Sequence, residues 1–211
     1  MKRMNLQSFT EYISRYEDKT AYKYLDDGEI KEKTYRQLTD ESRSTASWFA
    51  KNNIHKTHIA VLGSASCDWI STYLGITMSG NVAVPLDKML PTEEICNLIN
   101  MGDVQMLFAS PEFKANFEEY QKNAPELKTC ISFDDAEFPE IKRTSHAELP
   151  ELDDDDLAEL IFTSGTTGTS KGVMLSHKIS QAMRGISDIM SSTIPHLQLQ
   201  CRYCRYIIHL S

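Results

Sequence analysis

The chain has 211 residues, 41% of them apolar and 25% charged, with a formal net charge of −8. That composition supports a folded core and excludes a disordered polyelectrolyte. The acidic balance argues against a general nucleic-acid binder, whose affinity would rest on Lys and Arg facing phosphates, but a local site for one small anion stays open.

The opening "MKRMNLQSF" carries two basic residues with no apolar run behind them, so no signal peptide is expected. No stretch approaches the roughly 18 consecutive apolar residues of a membrane span. The 5 cysteines, Cys67, Cys96, Cys130, Cys201 and Cys204, do not suggest a disulfide framework. A reducing, cytoplasmic setting is the expectation.

In chain order, Leu6, Phe9, Ile13 and Tyr16 recur at helical spacing and predict a first amphipathic helix. "AYKYL" and "IKEKTY" around "DDGE" predict a β-hairpin. Thr34 and Gln37 form a capping-box pattern, and Tyr35, Leu38, Ser42, Ala46 and Phe49 trace one face of a helix ending near Asn52. Strands are then predicted at 58–63, at 81–87 with Pro85 as terminator, at 104–110, at 127–133 and at 157–163. Helices are predicted between the first four of them, at 66–80, at 91–102 with Gly102 as C′ residue, and after a Ser110–Pro111 cap. Strand and helix in alternation predict an α/β fold with a mostly parallel sheet. Residues 134–156, acidic and with Pro139 and Pro150, read as a surface excursion. The run Asp153 to Asp156 reads as a solvated acidic turn rather than a metal site, because adjacent carboxylates point apart and no His or Cys stands near.

The predicted strand at 157–163 runs into "TSGTTGTSKG", Thr163 to Gly172. Glycines 165, 168 and 172 let a backbone approach a ligand, the Ser and Thr hydroxyls can donate hydrogen bonds, and Lys171 adds a charge. Successive exposed N–H groups in such a turn form an anion nest, and a polyphosphate is the natural occupant. The alternative is a flexible Ser/Thr/Gly connection that holds nothing. Convergence of glycine, hydroxyl and lysine behind a buried strand favours the ligand. The segment is not a Walker A motif, since Ser170 precedes Lys171 where that motif needs glycine, and it contains no G-x-S-x-G elbow.

"FTSGTTGTSKGVMLSH" closely resembles the phosphate-binding signature T-S-G-T-T-G-x-P-K-G-V of the adenylate-forming (AMP-binding) enzymes, with Ser170 in place of the proline. Two further stretches agree in order. "KTYRQL" resembles the family's T-Y-x-E-L element, and "MSGNVAVPLD" its A-G-x-x-x-V-P-L-D element. The resemblance covers roughly residues 5–188 and implies the N-terminal subdomain of such an enzyme. It implies activation of a carboxylic acid by Mg2+·ATP through an acyl-adenylate, followed by transfer to a thiol such as coenzyme A. It also implies that Thr163, Ser164, Gly165, Thr166, Thr167, Gly168 and Lys171 contact the ATP phosphates. The hairpin and the "GNVAVPLDKMLPTEEI" run are most similar to a long-chain fatty acyl-CoA synthetase.

The family's later elements, including the magnesium-facing glutamate, the ribose-holding T-G-D and the domain with the catalytic lysine, are not found in this sequence. From Ile189 onward the only charged residues are Arg202 and Arg205, which suggests a non-family tail over 189–211, from truncation or a frameshift. A catalytically incompetent fragment that binds nucleotide phosphates is therefore the alternative function. In the tail, Cys201-x-x-Cys204 with His196 and His209 could be taken for a zinc site. The spacing and absent ββα pattern favour a fortuitous sequence. His177 reads as structural, at the opening of a helix capped by Ser176.

Overall fold

A computed structural model describes residues 6–26, 29–64, 66–164 and 170–178. Helix α1 (Leu6–Ser14) lays Phe9, Tyr12 and Ile13 against a small cluster that includes Ala21, Tyr35, Leu38 and Leu74. Strands β1 (Thr20–Asp26) and β2 (Glu29–Thr34) form the expected antiparallel hairpin as a separate two-stranded sheet.

Helix α2 (Tyr35–Lys51) starts on the predicted capping box: the Gln37 N–H donates to Thr34 Oγ1 at 3.2 Å and the Thr34 N–H to Gln37 Oε1 at 2.9 Å. The predicted face is buried, but so are Thr39, Ser44, Thr45 and Ser47. Apolar periodicity could not show this second face because its residues are hydroxylic. Thr39, Ser42, Thr45 and Ser47 donate back to the carbonyls of Tyr35, Leu38, Glu41 and Arg43, so each hydroxyl is satisfied within the helix and can be buried cheaply.

The main sheet follows: β3 (His58–Leu62), α3 (Cys67–Met78), β4 (Val82–Leu86), α4 (Thr92–Met101), β5 (Met106–Ala109), a 3-10 turn (Pro111–Asn116) leading into α5 (Phe117–Asn123), β6 (Thr129–Ser132), α6 (Phe138–Ile141), β7 (Leu157–Ser164) and β8 (Ser170–Ser176). Among the described residues the sheet has six strands in the order β6-β5-β3-β4-β7-β8, parallel except for β8. Strand alternation divides the core in two. Ile59, Val61, Ala83, Met106, Phe108 and Ile131 face Phe49 of α2, Ile76 of α3 and Phe138 and Ile141 of α6. Ala60, Leu62, Val82, Val84, Leu86 and Leu107 face Ile95, Leu98 and Ile99 of α4 and Tyr120 of α5. Both faces of the sheet are thus covered, as a parallel sheet requires.

Four expectations are corrected. Pro85 does not end β4; it pairs with Val61 and the strand runs to Leu86. The ladder to β7 is confined to the Ala83–Glu159 pair, so the missing N–H removes no bond on that side. Gly102 is the C-cap of α4 with φ −92°, and the positive φ falls on Asp103. The glycine answers to packing instead: a Cβ there would stand 3.1 Å from the Leu98 carbonyl and 3.4 Å from Leu160 and Phe162. Ser110 makes no side-chain cap bond, and the α-helix begins only at Phe117. Residues 134–156 are more than a surface excursion. Phe138 and Ile141 enter the core, the Ala147 N–H donates to Ser47 Oγ at 3.0 Å, and Lys142 pairs with Asp68.

Candidate functional site

Open α/β sheets tend to bind ligands beyond the carboxyl ends of their strands where the connections diverge to opposite faces. Here that point lies between β3 and β5, because α3 leaves to the α2 side and the turn after β5 to the α4 side. It is filled by protein. Gly63, with φ +141°, lies against Ser110 so closely that a methyl group would overlap the Ser110 hydroxyl, and the Ser110 N–H donates to the Leu62 carbonyl at 2.9 Å. The Gly/Thr/Ser/Lys segment stands at the other side of the sheet, at the carboxyl end of β7.

There β7 and β8 pair antiparallel, with Thr163 opposite Lys171 and Ser164 opposite Ser170. Thr163, Ser164 and Lys171 are therefore strand residues at the root of the loop. Gly165, Thr166, Thr167 and Gly168 lie outside the described residues, as does the tail with its Cys-x-x-Cys. Cross-strand partners share a face, so Thr163 and Lys171 stand on one side of the hairpin and Ser170 on the other. Lys171 is exposed and Thr163 half-buried. Gly172 belongs to β8 opposite Phe162; a Cβ there would lie 3.1 Å from Leu160 Cδ1 and 3.4 Å from Phe162 Cε1. This glycine makes room for the Phe162 ring rather than for a ligand.

The loop root is fastened from two directions. Ser170 Oγ donates to Glu94 Oε1 of α4 at 3.0 Å, while Asn97 Nδ2 reaches the other carboxylate oxygen at 3.5 Å. At the far end of the hairpin the Asp153–Asp156 turn closes on itself. The Asp155 N–H donates to Asp153 Oδ1 at 2.9 Å, the His177 N–H to the Asp156 carbonyl at 3.0 Å, and the Lys178 N–H to the Asp154 carbonyl at 2.8 Å. The expected acidic turn is thus the anchor of β8. Sequence spacing did not single out Glu94 or Asn97, because Glu94 lies 76 residues from Ser170 and reads locally as an ordinary acidic residue in a helix's first turn.

Two titratable groups belong to the far end of the hairpin, half-buried Glu159 within β7 and buried His177 just after β8. Burial pushes the Glu159 carboxyl above the usual carboxylate range, partly opposed by a hydrogen bond from Tyr73. His177 is fully buried, and among the described residues neither of its ring nitrogens has a hydrogen-bond partner. Burial lowers its pKa, opposed by Asp156 and Asp154. A helical turn begins at His177, as expected for this position. The thiols of Cys67 and Cys130 are poor nucleophiles: burial pushes Cys67 up to about 11 and Cys130 up to about 12. Among the described residues no helix is long and apolar enough to cross a membrane.

The AMP-binding enzyme family profile matches residues 9–206, a stretch that runs past Ile189 into the residues set apart above as a tail. A crotonobetaine/carnitine–CoA ligase of Salmonella paratyphi C (strain RKS4594) is 30% identical over 185 residues, covering 81% of this chain and 36% of the ligase. The chain thus spans about a third of the length of the curated relatives it matches. Among solved structures, a putative long-chain-fatty-acid CoA ligase from Rhodopseudomonas palustris CGA009 superposes with TM-score 0.76 at 17% identity, covering 90% of this chain and 48% of that one. The A-PCP didomain of a carboxylic acid reductase from Segniliparus rugosus in complex with AMP gives TM-score 0.71 at 22% identity, covering 84% and 32%. Profile and fold agree with the motif at the head of β7, and the chain belongs to the AMP-binding, adenylate-forming enzyme family.

Proposed function

We propose that this chain carries the phosphate grip of an ATP-dependent acid–thiol ligase that acts on a fatty acid. The observation that carries the reading is the hairpin at the carboxyl end of β7, which presents Thr163 opposite Lys171 on either side of the Ser/Thr/Gly loop. In the reaction proposed, a carboxylate oxygen attacks the α-phosphorus of ATP and the bond to the bridging oxygen breaks. Acyl-adenylate and pyrophosphate result, and a thiol such as that of coenzyme A then displaces AMP from the acyl carbon. Thr163, Ser164, Gly165, Thr166, Thr167, Gly168 and Lys171 hold the β- and γ-phosphates. Their hydroxyls, N–H groups and ammonium meet negative charge that grows as pyrophosphate departs.

The family resemblance also brings magnesium with the nucleotide. Magnesium on ATP is held mainly by phosphate oxygens and water with one or two protein carboxylates; among the described residues no group of three or more His, Cys, Asp or Glu is clustered. The alternative reading is that the chain binds nucleotide phosphates without turnover.

Equilibrium binding of ATP and of pyrophosphate to the purified chain tests the grip. Removing a cation that contacts phosphate costs on the order of 1.5–3 kcal/mol, so Lys171→Ala should weaken binding by roughly 10- to 100-fold. Unchanged affinity would overturn the assignment. Pyrophosphate–ATP exchange with palmitate, and with carnitine for comparison, separates the two readings. Exchange establishes adenylation by this chain and identifies the acid; binding without exchange establishes the phosphate binder.

A further inference from the structure

The family signature usually has proline before the lysine, a residue that stiffens the exit of the loop by its ring. Ser170 lacks that restraint, and on sequence alone its presence reads as a loosened turn. The structure places the Ser170 hydroxyl 3.0 Å from Glu94 Oε1, in a half-buried position at the first residue of β8. Glu94 sits in the first turn of α4, and its other oxygen is engaged by Asn97 from the same helix. Helix α4 is itself rigid, since Ile95, Leu98 and Ile99 are buried against the sheet. A proline has no donor to make this bond.

We propose that Ser170 is a positioning residue of the phosphate loop, which it holds by a hydrogen bond to the Glu94 carboxylate in place of the usual proline ring. The proposal rests on the reading of this loop as the phosphate grip. The bond fixes the residue next to Lys171 to the helix layer, so that the ammonium on the opposite side of the hairpin leaves from a defined root. It also gives one oxygen of the Glu94 carboxylate a hydrogen-bond partner.

The test has two arms on the full chain. In the first, backbone amide exchange of peptides spanning 165–175 is followed without ligand. Ser170→Ala and Glu94→Ala should each accelerate exchange by about tenfold, the equivalent of about 1.4 kcal/mol for one charge-assisted hydrogen bond. The double variant should exchange no faster than either single one, and Ser170→Thr should match the wild type. Equal exchange in Ser170→Ala and wild type, or additive effects in the double variant, would overturn the tether. In the second arm, pyrophosphate affinity should fall about tenfold in Ser170→Ala and recover in Ser170→Thr and Ser170→Pro. Glu94→Ala should weaken binding in the wild type yet have no effect in the Ser170→Pro background. A Glu94→Ala effect that persists in that background refutes the positioning role. Pyrophosphate affinity indifferent to Lys171→Ala refutes the phosphate reading, and with it that role, while the exchange arm still reports on the tether.

Discussion

Gly75 marks the closest approach of α3 to α2, and Gly75→Ala measures how rigid that contact is. A Cβ at this position would lie 2.7 Å from both Cβ and Cγ2 of Thr45 and 3.0 Å from the carbonyl oxygen of Ser42. Carbon atoms pack comfortably at about 3.5–4.0 Å, so the overlap with Thr45 is about 1 Å. Rotation about χ1 cannot relieve it, because Thr45 Cβ is fixed to the backbone and its Oγ1 is bonded to the Glu41 carbonyl at 2.9 Å. The Ser42 oxygen is backbone as well. The helices must therefore separate, at a cost in the upper half of the roughly 1–3 kcal/mol typical of overpacking. Replacing a helical glycine by alanine returns about 1 kcal/mol, which leaves a net loss of about 1–2 kcal/mol. For a chain of this size that is a fall in Tm of about 2–8 °C. Urea and thermal unfolding of Gly75→Ala, Thr45→Gly and the double variant would measure it. The double variant should be more stable than the sum of the single effects by about 1 kcal/mol or more, because removal of the Thr45 side chain clears the overlap. A rise in Tm for Gly75→Ala, or effects additive to within about 0.5 kcal/mol, would refute this reasoning.

Asn81, fully buried, accepts from the Thr57 N–H at 2.9 Å and donates to the Ile54 carbonyl at 3.0 Å and to Ser79 Oγ at 2.8 Å. Asn81→Ala strands the part-buried Thr57 N–H and Ile54 C=O, and should cost about 1–3 kcal/mol in urea unfolding. Thr34→Ala removes one half of the capping box and should cost about 0.5–2 kcal/mol in the same assay. Glu159 holds its proton more tightly in the folded state than in the unfolded one, so its contribution to stability is complete below the unfolded carboxylate pKa and is lost as pH rises through the raised folded value. Glu159→Gln should therefore gain on the wild type at neutral pH and lose that advantage in acid, as read by Tm against pH. His177 has the opposite linkage for its class: its folded pKa is lowered, so the folded state binds fewer protons and stability falls as pH drops from the unfolded histidine value through the folded one. His177→Leu, which breaks no ring hydrogen bond among the described residues, should flatten that acid-side loss in the same titration of Tm.

The sequence by itself determined the order of the elements as far as β7, apart from α6, the parallel strands, and the glycine–hydroxyl–lysine string that follows β7; it showed neither α6 nor β8. What it determined rests on short-range physics. Strand runs such as Ile59 to Leu62, the Thr34–Gln37 cap and the glycine–hydroxyl–lysine string are each complete within a few residues. Only the tertiary structure decided what distant segments do for one another. It showed that Gly102 and Gly172 serve the packing of Leu160 and Phe162, and that the hydroxylic face of α2 is core. It showed that residues 134–156 fasten onto α2 and α3, and that Ser170 is bonded to Glu94. Several of these contacts join residues far apart in the chain, such as Asp68 with Lys142 at 74 positions, Ser170 with Glu94 at 76 and Ser47 with Ala147 at 100. No local period encodes such a pairing, because strand order and helix placement bring the partners together only after the chain has folded.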